Sequence, residues 1–388
     1  MKRRTILSAS GGLLSAAVAG CTGFLDVDET SDGFEIEEAI DGVDHPWGMT
    51  FLPDDGRLLV TERPGRLQLF DPDDGTGEEL EGTPDVYAEG QGGLLDVALH
   101  PDFPDEPWLY LTYSTENGDG ESTTVLGRGR LDAEENRLED VEELYVAEPF
   151  VDSDQHYGSR VVFGDDDMVY VTVGDRASKE FGPDHVSQDT TNALGTTLRL
   201  EPDGSIPEDN PFVDETDVED AIFSYGHRNA QGMAVRPETG ELWQSEHGEE
   251  DGDEINVVEA GGNYGWPVAA YGCEYGTDDP IGDEPHERED VFDPVYYWEC
   301  TSGGFPPAGM TFYDGDAFPE WEGDLFVGNL AGQYLGRFTV DGTDVEEVDP
   351  LLEGQEWRVR DVEIEPETGA LYVAVDDENA PIVRLTPE

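Results

Sequence analysis

The chain has 388 residues and carries 92 Asp and Glu against 20 Lys and Arg, a formal charge of −72. That balance excludes nucleic acid and an anionic lipid surface as partners, because each needs a positive face, while the length allows a large core. A composition 36% apolar and 29% charged borders on that of disordered chains, but 10% aromatic residues and regular turn signals point to a folded protein with a surface adapted to high salt.

Residues 1–20 read MKRRTILSASGGLLSAAVAG. Arg3 and Arg4 precede a weakly apolar stretch, the pattern of a twin-arginine export signal; an uncleaved membrane anchor is the alternative. Val18-Ala19-Gly20-Cys21 resembles a lipobox, in which Cys21 carries a lipid. This predicts a protein held at the outer face of the cell membrane through that lipid alone, or secreted. Residues 21–38 are expected to be an acidic tether and 39–388 the folded domain.

The domain repeats one hairpin. It begins with Gly48-Met49-Thr50-Phe51 and Leu58-Leu59-Val60, and recurs at Asp96-Val97-Ala98-Leu99 with Leu109-Tyr110-Leu111, and at Ser159-Arg160-Val161-Val162 with Val169-Tyr170-Val171. Further copies are Gly232-Met233-Ala234-Val235 with Leu242-Trp243, Gly309-Met310-Thr311-Phe312 with Leu325-Phe326-Val327, and Asp361-Val362-Glu363-Ile364 with Leu371-Tyr372-Val373. The spacing, about fifty to eighty residues, suits a four-stranded sheet and a variable loop. Six such units predict an all-β, six-bladed β-propeller. A pair of β-sandwiches is the alternative, but sandwiches do not need the same hairpin six times. Cys273 and Cys300, which remain once Cys21 is set aside, are expected to form one disulfide stapling a Gly- and Asp-rich excursion.

The repeat phase locates a site. Residues before the first strand of each hairpin and after the second should converge at one mouth. These positions hold His45, His156, His227 and His247 of the seven histidines, together with Arg63, Arg176, Arg228, Arg358 and Arg360. Arginines gathered at one mouth suit an anionic ligand; pairing with neighbouring acids is the alternative. His45 and His247 are candidates to line the pocket. His100 is read as a turn residue, and His185 and His286 as solvated. The acidic runs read as a solvated face, with Asp251-Gly252-Asp253-Glu254 the best candidate for a structural Ca²⁺.

The segments EGQGGLLDVALHPDF (89–103), QHYGSRVVFG (155–164), QDTTNALGTTLRLEPDGSIPEDNPF (188–212), SYGHRNAQGMAV (224–235), SEHGEEDGDEINVVEAGGNYGWP (245–267) and WRVRDVEIEP (357–366) together resemble the soluble pyrroloquinoline quinone (PQQ)-dependent sugar dehydrogenases, especially the aldose dehydrogenases. The resemblance spans 40–388 and itself implies a six-bladed propeller. It implies that His156 is the general base, that Gln91, Arg228, Asn229, Arg358 and Arg360 hold the quinone, and that the backbone carbonyls of Gly248 and Glu249 bind a catalytic Ca²⁺. Arg228 would also stabilise charge developing on the quinone oxygen. The implied reaction oxidises the anomeric carbon of an aldose and passes electrons to an external acceptor.

Two positions depart from the family. Ala331 stands where a basic residue usually contacts the quinone. Gln155 stands where the glucose enzyme has an acid, which argues against acid-assisted orientation of His156 and against glucose as substrate. Two rival functions share the scaffold: a Ca²⁺-dependent sugar lactonase, which would bring carboxylates to a mouth metal, and a non-catalytic carbohydrate- or protein-binding propeller.

Overall fold

A computed structural model describes residues 33–53 and 55–388. The expected export signal, Cys21 and most of the expected tether lie outside the described residues. Among the described residues no helix is long and apolar enough to cross a membrane.

Six four-stranded antiparallel sheets form the blades. Their innermost strands are Pro46–Phe51, Leu94–Leu99, Val161–Phe163, Ala230–Val235, Pro307–Phe312 and Val359–Ile364, here numbered blades 1 to 6. The second strands are Leu58–Glu62, Trp108–Glu116, Val169–Val173, Leu242–Glu246, Leu325–Asn329 and Leu371–Val375. Each first and second strand pair in register as the hairpin repeat predicts, for example Met49 opposite Val60 and Val362 opposite Val373. Apart from one-turn 3₁₀ segments at Val186–Gln188, Pro285–Glu287 and Pro319–Trp321, the described residues form strands and loops.

The burial pattern explains why these hairpins stand out in the sequence. A blade has a neighbour on each side, so its inner strands are covered on both faces and need no polar alternation. Every residue of Leu58–Glu62, Val169–Val173, Leu242–Glu246, Leu325–Asn329 and Leu371–Val375 is buried. Apolar clusters fill the seams between blades, such as Phe326, Val359, Leu371 and Val383 between blades 5 and 6. Outer strands face water and take the acids: all of Thr76–Glu79 is exposed, and Arg137–Val146 carries Glu139, Asp140, Glu142 and Glu143.

One expectation is corrected. Residues 34–38 do not belong to a tether. Phe34–Val43 is a strand that pairs antiparallel with Ala380–Pro387 and forms the outermost strand of blade 6. Its acidic composition suits a solvent-facing edge, and the apolar Phe34, Ile40 and Val43 turn inward to buried positions. The ring is therefore closed by both ends of the domain.

Cys273 and Cys300 are joined as a disulfide with Cα atoms 5.5 Å apart. It staples the excursion after the third strand of blade 4 and packs it on the turn at 248–253: Glu250 and Cys273 exchange backbone hydrogen bonds, and Gly252 donates to the Trp298 carbonyl.

Candidate active site

The starts of the first strands and the ends of the second strands meet at one end of the molecule. Between blades 2, 3 and 4 lies an imidazole–carboxylate pair. His156 sits in a turn entering blade 3 with φ of 50°, a left-handed conformation uncommon for a non-glycine residue. The turn is held from both sides. The Gln91 Oε1 accepts the backbone N–H of His156 at 2.8 Å, and the Asn229 Oδ1 accepts that of Gly158 at 3.1 Å. Gly158 (φ 65°) cannot be replaced: a Cβ there would stand 2.8 Å from Gly174 N and from Thr172 O. The side-chain oxygens of Gln91 and Asn229 thus build the turn that presents His156.

His156 Nδ1 lies 2.6 Å from Asp175 Oδ1. Asp175 is buried and also accepts from Trp266 Nε1 at 2.8 Å and from the Ala177 N–H at 2.8 Å. An aspartate therefore does orient His156; it comes from the end of the second strand of blade 3, not from position 155. Burial lowers the His156 pKa, Arg228 lowers it further, and Asp175 only partly restores it, so the ring is neutral at neutral pH. With Nδ1 engaged by a carboxylate, its proton sits there and Nε2 is left as an acceptor. Burial opposes ionisation of Asp175, but its hydrogen bond with His156 and the positive charge of Arg228 hold its pKa below the ordinary value.

Arg228 borders this pair from blade 4. It is 4% exposed, donates through Nη2 to Glu249 Oε2 at 2.7 Å, and lies 5.2 Å from the Trp266 ring centre. Lys179 also binds the Glu249 carboxylate, so the candidate calcium residue is committed through its side chain to two cations. The backbone carbonyls of Gly248 and Glu249 accept no backbone hydrogen bond among the described residues. The turn that carries them is tight: a Cβ on Gly248 would meet Asp251 O at 2.0 Å.

The second arginine group lies across blades 5, 6 and 1. Arg358 and Arg360 donate to Asp376 Oδ2 at 3.2 and 2.9 Å, and Arg358 also reaches the Leu330 carbonyl at 3.1 Å. His45 Nδ1 stands 3.2 Å from Asp376 Oδ1. Burial opposes ionisation of Asp376, but Arg360, Arg358 and His45 outweigh it and hold the carboxyl far below its usual range. The two groups share one mouth. His247, between them, is pushed down to about 3 by burial and by Arg228, His156 and Arg360. It is half-buried and lines a small cavity with Arg228, Gly248, Glu249 and Trp266, and its Nε2 meets the Pro307 carbonyl at 2.6 Å.

Below the mouth the axis is plugged. The Arg160 and Arg360 guanidinium groups lie 4.4 and 5.8 Å from the Trp47 ring centre, and both bond Gln231. Arg160 Nη1 also bridges Asp96 and Asp361 at 3.0 Å each. A cavity of about 680 Å³ opens at the opposite end, floored by Arg160, Asp96 and Asp361.

Other expectations separate. His100 is a turn residue, accepting the Asp102 N–H at 3.1 Å, and His286 is exposed. His185 is not solvated; it is buried, caps the turn at Val186–Gln188 and packs edge-on against Trp266. Within 251–254, Asp253 is not a calcium ligand in waiting: its oxygens accept the N–H groups of Gly248 and Phe305 at 3.0 and 2.8 Å. Among the described residues no three His, Cys, Asp or Glu side chains are grouped to hold a metal.

What the mouth leaves unpaired is a set of donors. The Nε atoms of Arg63, Arg228 and Arg360 and the Nδ2 of Asn329 are buried without an acceptor among the described residues. Such a set fits an oxygen-rich anion with several carboxylates.

Residues 43–384 match the family described as Glucose / Sorbosone dehydrogenase. The chain is 36% identical over 356 residues to aldose sugar dehydrogenase YliI of Escherichia coli strain K12, covering 91% of this chain and 92% of that protein. The fold is similar to the crystal structure of the soluble aldose sugar dehydrogenase from Escherichia coli in its apo-form, with a TM-score of 0.82 and 36% identity over 92% of this chain and 100% of that one. It is also similar to the PQQ-bound form of aldose sugar dehydrogenase from Streptomyces coelicolor, with a TM-score of 0.73 and 27% identity over 92% of this chain and 98% of that one. Blade count, hairpin register and sequence agree: the chain belongs to the glucose/sorbosone dehydrogenase family of sugar dehydrogenases.

Proposed function

We propose that this protein oxidises the anomeric carbon of aldoses to lactones, with PQQ as the hydride acceptor and Ca²⁺ as its partner. The observation that carries the reading is a neutral, carboxylate-oriented imidazole at the edge of a mouth rich in unpaired arginine donors. Arg228, Arg358 and Arg360 would hold the quinone's carboxylates and ring oxygens, with the amides of Gln91 and Asn229 at its margin. The carbonyls of Gly248 and Glu249 would hold the calcium. When bound, the quinone supplies a two-electron acceptor, and the calcium makes it more electrophilic.

The protein's own part is proton handling and orientation. His156 Nε2 takes the proton of the anomeric hydroxyl as the C1 hydrogen departs with its electron pair, a contribution of roughly 10²–10⁴-fold. Asp175 fixes the tautomer that leaves Nε2 free and stabilises the imidazolium that results. Arg228 presents positive charge where negative charge develops. The lactonase alternative asks for free carboxylates at a mouth metal, but those of Glu249 and Asp253 are committed to Arg228, Lys179 and the backbone. On the reading of the N-terminus, the enzyme works outside the cell, lipid-anchored at Cys21, and passes its electrons to an external carrier.

The test is reconstitution of the purified protein with PQQ and Ca²⁺ in molar salt, followed by dye reduction with a panel of aldoses. We expect reduction with at least one aldose, abolished by His156→Ala with quinone binding retained. Lactone hydrolysis without dye reduction would transfer the site to the lactonase reading, and neither activity would leave a binding protein.

A further inference from the structure

Arg63 closes the second strand of blade 1, and its backbone is fixed. Its N–H donates to the His45 carbonyl at 3.1 Å, and its own carbonyl accepts from Leu94 N at 3.1 Å. Gly93 presses on it so closely that a Cβ would fall 2.0 Å from Arg63 O. The residue is thus wedged between blades 1 and 2, next to His45 and hence beside Asp376.

Its side chain has no share in that carboxylate. Asp376 is occupied by Arg358, Arg360 and His45. The neighbouring Glu62 is taken by Arg66 and by the Asp44 N–H. Arg63 makes no side-chain hydrogen bond or ion pair among the described residues, and its Nε is buried without an acceptor. The other arginines of the mouth have such partners: Arg228 has Glu249, and Arg176 is bonded to Ser122, Ser153 and Gln155. Two arginines already share the one carboxylate, and a third beside them, with its buried Nε unpaired, is costly to keep. Burial lowers the pKa of Arg360, and Arg63 and Arg358 lower it further against Asp376, which places the three guanidinium groups in one field. Ala331, next to the Leu330 whose carbonyl takes Arg358, offers no charge.

We propose that Arg63 is a further anion-binding residue of the mouth, donating to a carboxylate of the bound quinone and supplying the charge that position 331 lacks. The inference rests on the quinone reading above. It extends that reading to a residue whose present geometry has no other use for its charge.

The test measures binding, not turnover. The full-length protein in cofactor-free form, with Ca²⁺ in molar salt, is titrated with PQQ and followed by calorimetry or tryptophan quenching. Arg63→Ala is expected to weaken binding about 10–100-fold, the worth of one charge-assisted hydrogen bond. Arg63→Lys, which keeps the charge without the planar fork, should fall between the two. The trimethyl ester of PQQ, which lacks the carboxylate charges, should bind wild type and variant alike. Arg63→Gln gives the same comparison should the alanine variant fail to fold. Equal PQQ affinity in wild type and variant overturns the role of Arg63 and leaves the quinone reading standing. Equal weakening of acid and ester overturns it too, by marking a structural role. Absence of PQQ binding to the wild type removes the quinone reading and this inference together.

Discussion

Replacing Asp175 by Asn probes the proton-handling argument at its narrowest point. The carboxylate serves three donors at once, His156 Nδ1 at 2.6 Å, Ala177 N at 2.8 Å and Trp266 Nε1 at 2.8 Å. An amide of the same shape has one oxygen for them. If that oxygen stays with Trp266, the NH₂ faces His156 and forces the proton onto Nε2, which can no longer act as base. If it stays with His156, the buried Trp266 N–H loses its acceptor, at a cost of about 1–3 kcal/mol. In either arrangement a charged hydrogen bond becomes neutral, and we expect kcat/KM to fall by about 10²–10⁴-fold with quinone affinity nearly unchanged. The pH profile carries the sharper signature. Asp175 raises the His156 pKa against burial, Arg228 and Lys179. Without it the imidazole loses its proton at lower pH, so the acid limb must move down, on a much lower plateau. Steady-state dye reduction across acid and neutral pH reads both. A variant with wild-type rate, or one whose acid limb moves upward, would refute the assignment of Asp175 as the orienting group.

Two further outcomes follow from the plug and from the tight turn. Arg160→Met leaves Asp96 and Asp361 buried without their shared cation and should cost about 3–5 kcal/mol in denaturant unfolding at neutral pH. Burial already raises Asp96 to about 7 with the arginine present; without it the folded-state values rise further above the unfolded ones. The deficit must therefore shrink as pH falls and these carboxyls take up protons; a deficit independent of pH contradicts the argument. Gly248→Ala places a Cβ 2.0 Å from Asp251 O and 2.4 Å from Gly252 C, so the turn must open. We expect loss of calcium retention in equilibrium dialysis with the propeller intact by circular dichroism, and unchanged calcium stoichiometry would dismiss the carbonyl ligands.

The hairpins were legible because inner strands buried on both faces compress into apolar runs such as Leu58-Leu59-Val60, punctuated by Pro, Asp and Gly. Phe34–Val43 was not, because an edge strand spends most of its residues on water and its partner, Ala380–Pro387, lies at the far end of the chain. Its sequence alone cannot be told from an acidic linker. The mouth was legible by phase, which places residues by height along the axis but says nothing of which carboxylate takes which base. Asp175 stood at the right phase beside Arg176, yet the pairing depends on the turn that Gln91 and Asn229 hold. His185 misled for a related reason: its acidic neighbours suggested solvent, whereas its ring caps a one-turn helix and rests on Trp266. Asp376 likewise gave no sign that it would be shared by two arginines and an imidazole from blades 6 and 1.

The seam in blade 6 bears on the protein's birth. Residues 34–43 leave the ribosome first among the domain's strands, and 380–387 leave last. The early strand must therefore wait through almost the whole of synthesis with both edges open. Its glutamates, Glu35, Glu37 and Glu38, discourage it from pairing with another nascent chain in the meantime. A product cut short before residue 380 would leave the same strand permanently without its mate and the circle unlatched.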